Sequence, residues 1–321
     1  MATNPVTVLP NTVFTIIFIF TLTVIATTKP LPFVVFHGIV DECKSAKVTN
    51  FTDSLKEWSG AEGFCVEIGN GYMDTIFKPL TQQTAIACEK VKSMSELSNG
   101  YNIVAISQGN MVARGVIEFC DGAPPVKNYI SVGGPQAGVA AAPCLVNNTL
   151  GDFACSVTND ALKLGVYTEF VQNISAPAGF IKIPTEIDWY LKGCKFLPKL
   201  NNEINGSRNS TYRERFTSLD NLVLIMHEQD SVLVPKETSW FWYYPDGSKD
   251  TVLPANQTSL YTEDWIGLKT LDDAGKVTYL SVPGEHANMS FSDMQTYIVP
   301  YINGSISLSM VESSFMSLSS I

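Results

Sequence analysis

Apolar and polar positions fall in blocks along this chain. Leu31 to Phe36 is an apolar, partly β-branched run that ends at His37-Gly38, and Phe64 to Ile68 is a second that ends at Gly69. Short apolar runs closed by glycine read as buried strands. Between residues 80 and 94 the spacing changes: Leu80, Thr84, Ala87, Cys88, Val91 and Met94 recur at helical intervals, with Gln82, Glu89 and Lys92 on the other side. Pro79 stands where a helix starts well. Asn102 to Ile106 predicts a further strand, Met111 to Phe119 a helix with small residues where it meets a sheet, and Val126 to Val132 a strand closed by Gly133-Gly134-Pro135. Alternation of this kind implies an α/β fold with a mostly parallel central sheet flanked by helices.

From about 136 to 218 the rhythm is lost. Small residues from Ala137 to Pro143 lead into aromatic-rich helical segments broken by Pro177, Pro184 and Pro198, then into a polar Asn/Ser/Arg stretch. This predicts an inserted, largely helical cap. The sheet pattern returns at Asn221 to Met226 and Val277 to Val282, Phe291 to Ile302 reads as a closing helix, and residues 304–321 as a loose tail. With 321 residues, 45% of them hydrophobic and 16% charged, one domain over 29–303 carrying the insertion fits better than two.

Residues 13 to 26 form an apolar block of signal-peptide length, followed by small residues and Lys29-Pro30, so 1–28 is expected to be a secretory signal. No Lys or Arg precedes the block, which departs from the usual positive end. A membrane helix needs about 20 apolar residues, so no stable span is expected, with an uncleaved anchor as the alternative. The net charge of -10 and the lack of any Lys/Arg run argue against nucleic acid as a partner. Asn-x-Ser/Thr sequons stand at Asn50, Asn147, Asn173, Asn205, Asn209, Asn256, Asn288 and Asn303. The seven cysteines include neither a C-x-x-C nor a zinc-like Cys/His cluster, so disulfides are expected, with at least one cysteine left over, and no metal.

The chemistry-bearing stretch is Ala105-Ile106-Ser107-Gln108-Gly109, at the joint between a predicted strand and a predicted helix. A nucleophile elbow holds its serine in a strained strand-to-helix turn and needs small flanking residues, and here Ala105 stands where the pattern G-x-S-x-G has its first glycine. The plain alternative is a serine that caps the helix. A serine nucleophile needs a base, and only His37, His227 and His286 exist. His286 follows the last predicted strand, and Ser107, Asp230, His286 reproduce the α/β-hydrolase order of nucleophile, acid, base, with Glu228 and Glu285 as rival acids. In that fold the backbone after the first strand, at Gly38-Ile39, and the residue after the nucleophile, Gln108, supply the oxyanion donors. His227 reads as a satisfied histidine at a strand end.

The set His37-Gly38, Ile106-Ser107-Gln108-Gly109, Ile130-Ser131-Val132-Gly133-Gly134, Asp230-Ser231-x-x-x-Pro235, Trp240-Phe241, Leu260 to Lys269 and Gly284-Glu285-His286 resembles the palmitoyl-protein thioesterase family over about 30 to 302. The resemblance implies an α/β-hydrolase with Ser107 as nucleophile, Asp230 as orienting acid, His286 as base and backbone oxyanion donors at Ile39 and Gln108. It also implies disulfides Cys88 to Cys120 and Cys144 to Cys155, leaving Cys43, Cys65 and Cys194 unassigned. The chain departs from the family pattern at Asn110, where a second glycine is usual, and at Pro135, which replaces a glutamine. The activity implied is hydrolysis of long-chain acyl thioesters, without cofactor, on S-acylated proteins or peptides in the secretory pathway, either a lysosome or vacuole lumen or outside the cell. The alternatives are an oxygen-ester lipase or carboxylesterase and an inactive acyl-binding protein. An acyl chain needs an apolar groove, and Phe180, Ile181, Ile187 and Trp189 of the cap are candidates to line it, or else to form the cap's own core. Asn209 is expected to carry a glycan, and Asn288, two residues from His286, to be bare.

Overall fold

The computed structural model describes Met1, residues 29–141 and residues 165–306. The expected signal, the Cys144 to Cys155 pair, Asn147 and the tail from residue 307 on lie outside the described residues.

Among the described residues six strands form one parallel sheet: β1 Phe33–Phe36, β2 Gly63–Cys65, β3 Tyr101–Ile106, β4 Val126–Val132, β5 Asn221–His227 and β6 Val277–Val282, in the spatial order β2-β1-β3-β4-β5-β6. Side chains alternate across the sheet, so each strand feeds two cores. Val34, Phe36, Ile103, Ala105, Leu222 and Leu224 pack on one face, and Phe33, Val35, Val104, Ile106, Val223 and Ile225 on the other.

α1 (Ala46–Ser59) covers the second face, and α2 (Asp74–Phe77) is a single turn. α3 (Leu80–Ser93) and α4 (Gly109–Phe119) cover the first face. Sequence periodicity did not flag α1, because its buried row is Val48, Thr52, Leu55 and Ser59, half of it polar. Its ends were readable: Ser45 accepts a hydrogen bond from Val48 N, and Gly60 closes the helix at φ 68.

The stretch from 165 to 218 is a chain of short helices: α5 (Glu169–Ile174), α6 (Ile187–Gly193), α7 (Leu197–Leu200) and α8 (Ser210–Thr217). It is tied to the elbow helix by Arg114, fully buried between Phe216 and Phe241. The guanidinium donates from Nε to Glu118 at 2.9 Å, from Nη1 to Asn201 Oδ1 at 2.7 Å and from Nη2 to the Leu200 carbonyl at 3.2 Å. Burial pushes the Glu118 carboxyl up to about 7 against the pull of Arg114.

Between β5 and β6 lie two further short helices, α9 (Ser259–Thr262) and α10 (Leu268–Asp273). The expected closing helix is two: α11 (Phe291–Tyr297) and α12 (Val299–Asn303), broken at Ile298 just before Pro300, which fits only the first turn of a helix.

Candidate active site

β3 delivers Ser107 to the carboxyl edge of the sheet, where the chain turns into α4 with Ser107 at φ 53. A non-glycine residue there is strained, which is the elbow's signature. Gly109 is obligatory by space: a Cβ would lie 2.3 Å from the Phe36 carbonyl oxygen and 2.5 Å from that of His37. Asn110, the first departure from the family pattern, is wholly buried and braces the elbow from behind. Its Nδ2 donates to the Ser107 carbonyl at 2.9 Å, and its Oδ1 accepts from Tyr129 OH at 2.8 Å.

His286 stands in the loop after β6 and Asp230 in the loop after β5, because β3, β4, β5 and β6 are consecutive in the sheet. His286 Nε2 lies 2.7 Å from Ser107 Oγ, and Nδ1 lies 2.6 Å from Asp230 Oδ2. Gln229 joins the two loops: its side-chain Oε1 accepts from Gly284 N at 2.5 Å while its backbone N–H donates to the Gly284 carbonyl at 3.1 Å. Asp230 Oδ1 accepts from the amides of Val232 at 2.9 Å and Leu233 at 3.0 Å. Burial works to raise the Asp230 pKa, but the hydrogen bond and charge of His286 and those two amides hold it below the ordinary carboxylate value. The rivals are elsewhere: Glu228 accepts from Ser281 Oγ, and Glu285 is exposed.

Ile39 and Gln108 flank Ser107 around one cavity, and among the described residues neither backbone N–H is spent on a protein acceptor. His37 is a satisfied buried histidine, Nε2 3.2 Å from Glu67 Oε1 and Nδ1 3.1 Å from the Gly38 carbonyl. His227 corrects the expectation placed on it. It is wholly buried at the end of β5, yet neither ring nitrogen has a partner among the described residues. Burial first, and then the charge of His286, push its pKa down to about 4.

The cavity over Ser107 measures about 380 Å³. Its apolar wall is built by Val48 and Phe51 of α1, Met289, Phe291 and Met294 around α11, and Val132, Pro135, Phe180 and Leu233. Of the four cap residues expected to line a groove, Phe180 does so and three do not. Ile181 is 2% exposed and packed in the core, Ile187 lines a separate cavity of about 270 Å³, and Trp189 is 68% exposed. The reason is that α6 lies away from the Ser107 mouth, whereas α1 and α11 flank it; the signal that could have found α1 was its pair of ends, Ser45 and Gly60. Pro135, the second departure, is in the cavity wall.

Cys88 is bonded to Cys120, and Cys43 to Cys65. The latter pair ties the loop after β1 to β2. Cys194 is free, and burial raises its thiol to about 12. His37, Cys43 and Glu67 place donor atoms within 4.8 Å of one another, but the Cys43 sulfur is committed to its disulfide.

A parallel sheet with a strained serine after a central strand, and an acid and a histidine after the two strands beyond the next, defines an α/β-hydrolase. The palmitoyl protein thioesterase family model matches residues 32–286. Palmitoyl-protein thioesterase 1 of Caenorhabditis elegans is 36% identical over 279 residues, which cover 85% of this chain and 91% of that protein. Lysosomal thioesterase PPT2-B of Xenopus laevis is 29% identical over 275 residues, covering 84% and 91%. The monoacylglycerol lipase of Paleococcus ferrophilus, a solved structure, has a TM-score of 0.43 at 10% identity, covering 86% of this chain and 96% of that one. The chain belongs to the palmitoyl protein thioesterase family and is a thioester hydrolase.

Proposed function

We propose that this enzyme removes long-chain fatty acids from cysteine side chains of S-acylated proteins or peptides by way of an acyl-enzyme on Ser107. The observation that carries the reading is the unbroken line Ser107 Oγ, His286, Asp230 opening into an apolar cavity. Asp230, held as a carboxylate, fixes the His286 proton on Nδ1 and leaves Nε2 free to accept from Ser107. Ser107 Oγ attacks the thioester carbonyl, whose oxygen takes up negative charge in front of the Ile39 and Gln108 amides. The cysteine sulfur leaves and takes the proton from His286. A thiol of pKa ~8.5 needs less help to depart than an amine. Water, deprotonated by the same histidine, then attacks the acyl-enzyme and releases the fatty acid, restoring Ser107.

A cavity of about 380 Å³ falls within the ~300–1,000 Å³ usual for ligand sites. Its wall can desolvate methylenes at ~0.8 kcal/mol each. Two disulfides support an oxidising compartment, and a relative named a lysosomal thioesterase supports a lysosome or vacuole lumen, or secretion, as the place of work. Among the described residues no helix is long and apolar enough to cross a membrane.

The test is release of free thiol from a palmitoyl-cysteine peptide by the purified protein. Ser107→Ala and His286→Ala are expected to lose on the order of 10⁴-fold or more in kcat. Asp230→Ala is expected to lose heavily and Glu285→Ala little. Turnover surviving Ser107→Ala, or a faster reaction with the matching short-chain oxygen ester, overturns the reading.

A further inference from the structure

Both amides assigned to the oxyanion sit next to residues whose conformation has to be held. Ile39 is followed by Val40, a β-branched residue at φ 59 and 46% exposed. That backbone conformation is a genuine outlier for valine and persists only where the surroundings impose it. With the side chain half in solvent, the contact that fixes Val40 is through its main chain: its N–H donates to Thr75 Oγ1 at 2.8 Å. The Thr75 hydroxyl proton is already given to the Tyr72 carbonyl at 2.5 Å, which turns the oxygen lone pairs toward that amide.

The second amide belongs to Gln108, and its side chain returns to the same residue. Gln108 Nε2 donates to the Thr75 carbonyl at 2.7 Å, and Gln108 is 2% exposed. Thr75 itself is wholly buried on α2. Its turn is anchored in turn by Gln83 of α3, whose Nε2 donates to the Asp74 carbonyl at 3.2 Å and the Lys78 carbonyl at 2.7 Å. One buried residue therefore holds the Ile39 turn through its hydroxyl and Gln108 through its carbonyl.

We propose that Thr75 is the positioning residue that sets the spacing of the two oxyanion donors, an inference that rests on the hydrolase reading above and deepens it. Without the hydroxyl, Val40 relaxes toward negative φ and the Ile39 peptide turns away from the carbonyl oxygen. The oxyanion exists only in and around the tetrahedral transition state, so the loss falls on kcat and not on KM.

Thr75→Val removes the hydroxyl at nearly constant shape. The expected result with the palmitoyl-cysteine peptide is a kcat lower by roughly 10- to 100-fold, the scale of a misplaced donor, at a nearly unchanged KM. Thr75→Ser, which keeps the hydroxyl, restores most of kcat. Val40→Gly added to Thr75→Val restores part of it, because glycine holds positive φ unaided; a role in stability alone would not be repaired at residue 40. Should Thr75→Val not fold, Val40→Pro breaks the same hydrogen bond from the exposed side and forbids positive φ, with the same selective loss of kcat expected. Wild-type kcat in folded Thr75→Val, or in Val40→Pro, overturns the inference, as does a loss that serine does not repair. Failure of the hydrolase reading is visible separately, as absent turnover in the wild type or turnover that survives Ser107→Ala, and takes this inference with it.

Discussion

His227 makes the stability of this protein depend on pH in a direction that can be worked out in advance. Replacing it with leucine removes an imidazole that is wholly buried, has no partner for either nitrogen among the described residues, and titrates near 4 instead of 6.5. The cause is burial first, reinforced by the charge of His286 and opposed by Asp230 and Asp293. Because the folded pKa lies below the unfolded one, the unfolded chain binds this proton more readily between pH 6.5 and 4. Stability is therefore full above about pH 6.5 and is lost as pH falls toward 4. At 1.36 kcal/mol per tenfold change in proton affinity, the loss over that window is about 3 kcal/mol. Other groups titrate over the same range, so the informative quantity is the difference between His227→Leu and wild type. Urea unfolding at pH 7.5, 6, 5 and 4.5 should find the variant at least as stable at pH 7.5, since it no longer buries two unpaired nitrogens. Its advantage should then grow by about 3 kcal/mol toward pH 4. A difference that stays constant from pH 7.5 to 4.5 would refute the reasoning.

The disulfides Cys43 to Cys65 and Cys88 to Cys120 span 22 and 32 residues, so replacing either pair with serine should cost about 3 to 4 kcal/mol in chemical unfolding. Unreduced peptide mapping should recover Cys43 with Cys65 and Cys88 with Cys120, and finding Cys43 free would contradict the bond. Phe51→Ala and Met289→Ala should each narrow the preference for palmitoyl over acetyl thioesters by roughly 10-fold, whereas Trp189→Ala should leave it unchanged. A chain-length preference sensitive to Trp189 and indifferent to Phe51 would return the groove to the cap. Asn288 borders the cavity, so glycopeptide analysis of active enzyme should find it bare, with a glycan on half-buried Asn209, whose Oδ1 caps α8.

By itself the sequence determined the parallel α/β layering, because a strand buried on both faces is written as a short apolar run and a covering helix as a 3.6-residue stripe, both local in the chain. It also determined the order Ser107, Asp230, His286 and the family to which those motifs belong. Other features were decided only by tertiary structure. That Asp230 and not Glu228, two residues earlier in the same loop, lies 2.6 Å from His286 Nδ1, while Glu228 accepts from Ser281 Oγ, is a contact between two loops that meet only because β5 and β6 are neighbours in the sheet. The bond from Cys43 to Cys65 exists because parallel pairing of β1 with β2 brings the loop after β1 over β2. The cavity wall moved from Ile187 and Trp189 to Phe51, Met289 and Phe291 for the same reason. Periodicity reports that a helix has an apolar side, but which surface that side meets depends on contacts between segments far apart in sequence. The unpartnered nitrogens of His227 and the double grip of Thr75 are of that kind too: each is a relation between groups that only the folded chain brings within a hydrogen bond's reach, or deprives of one.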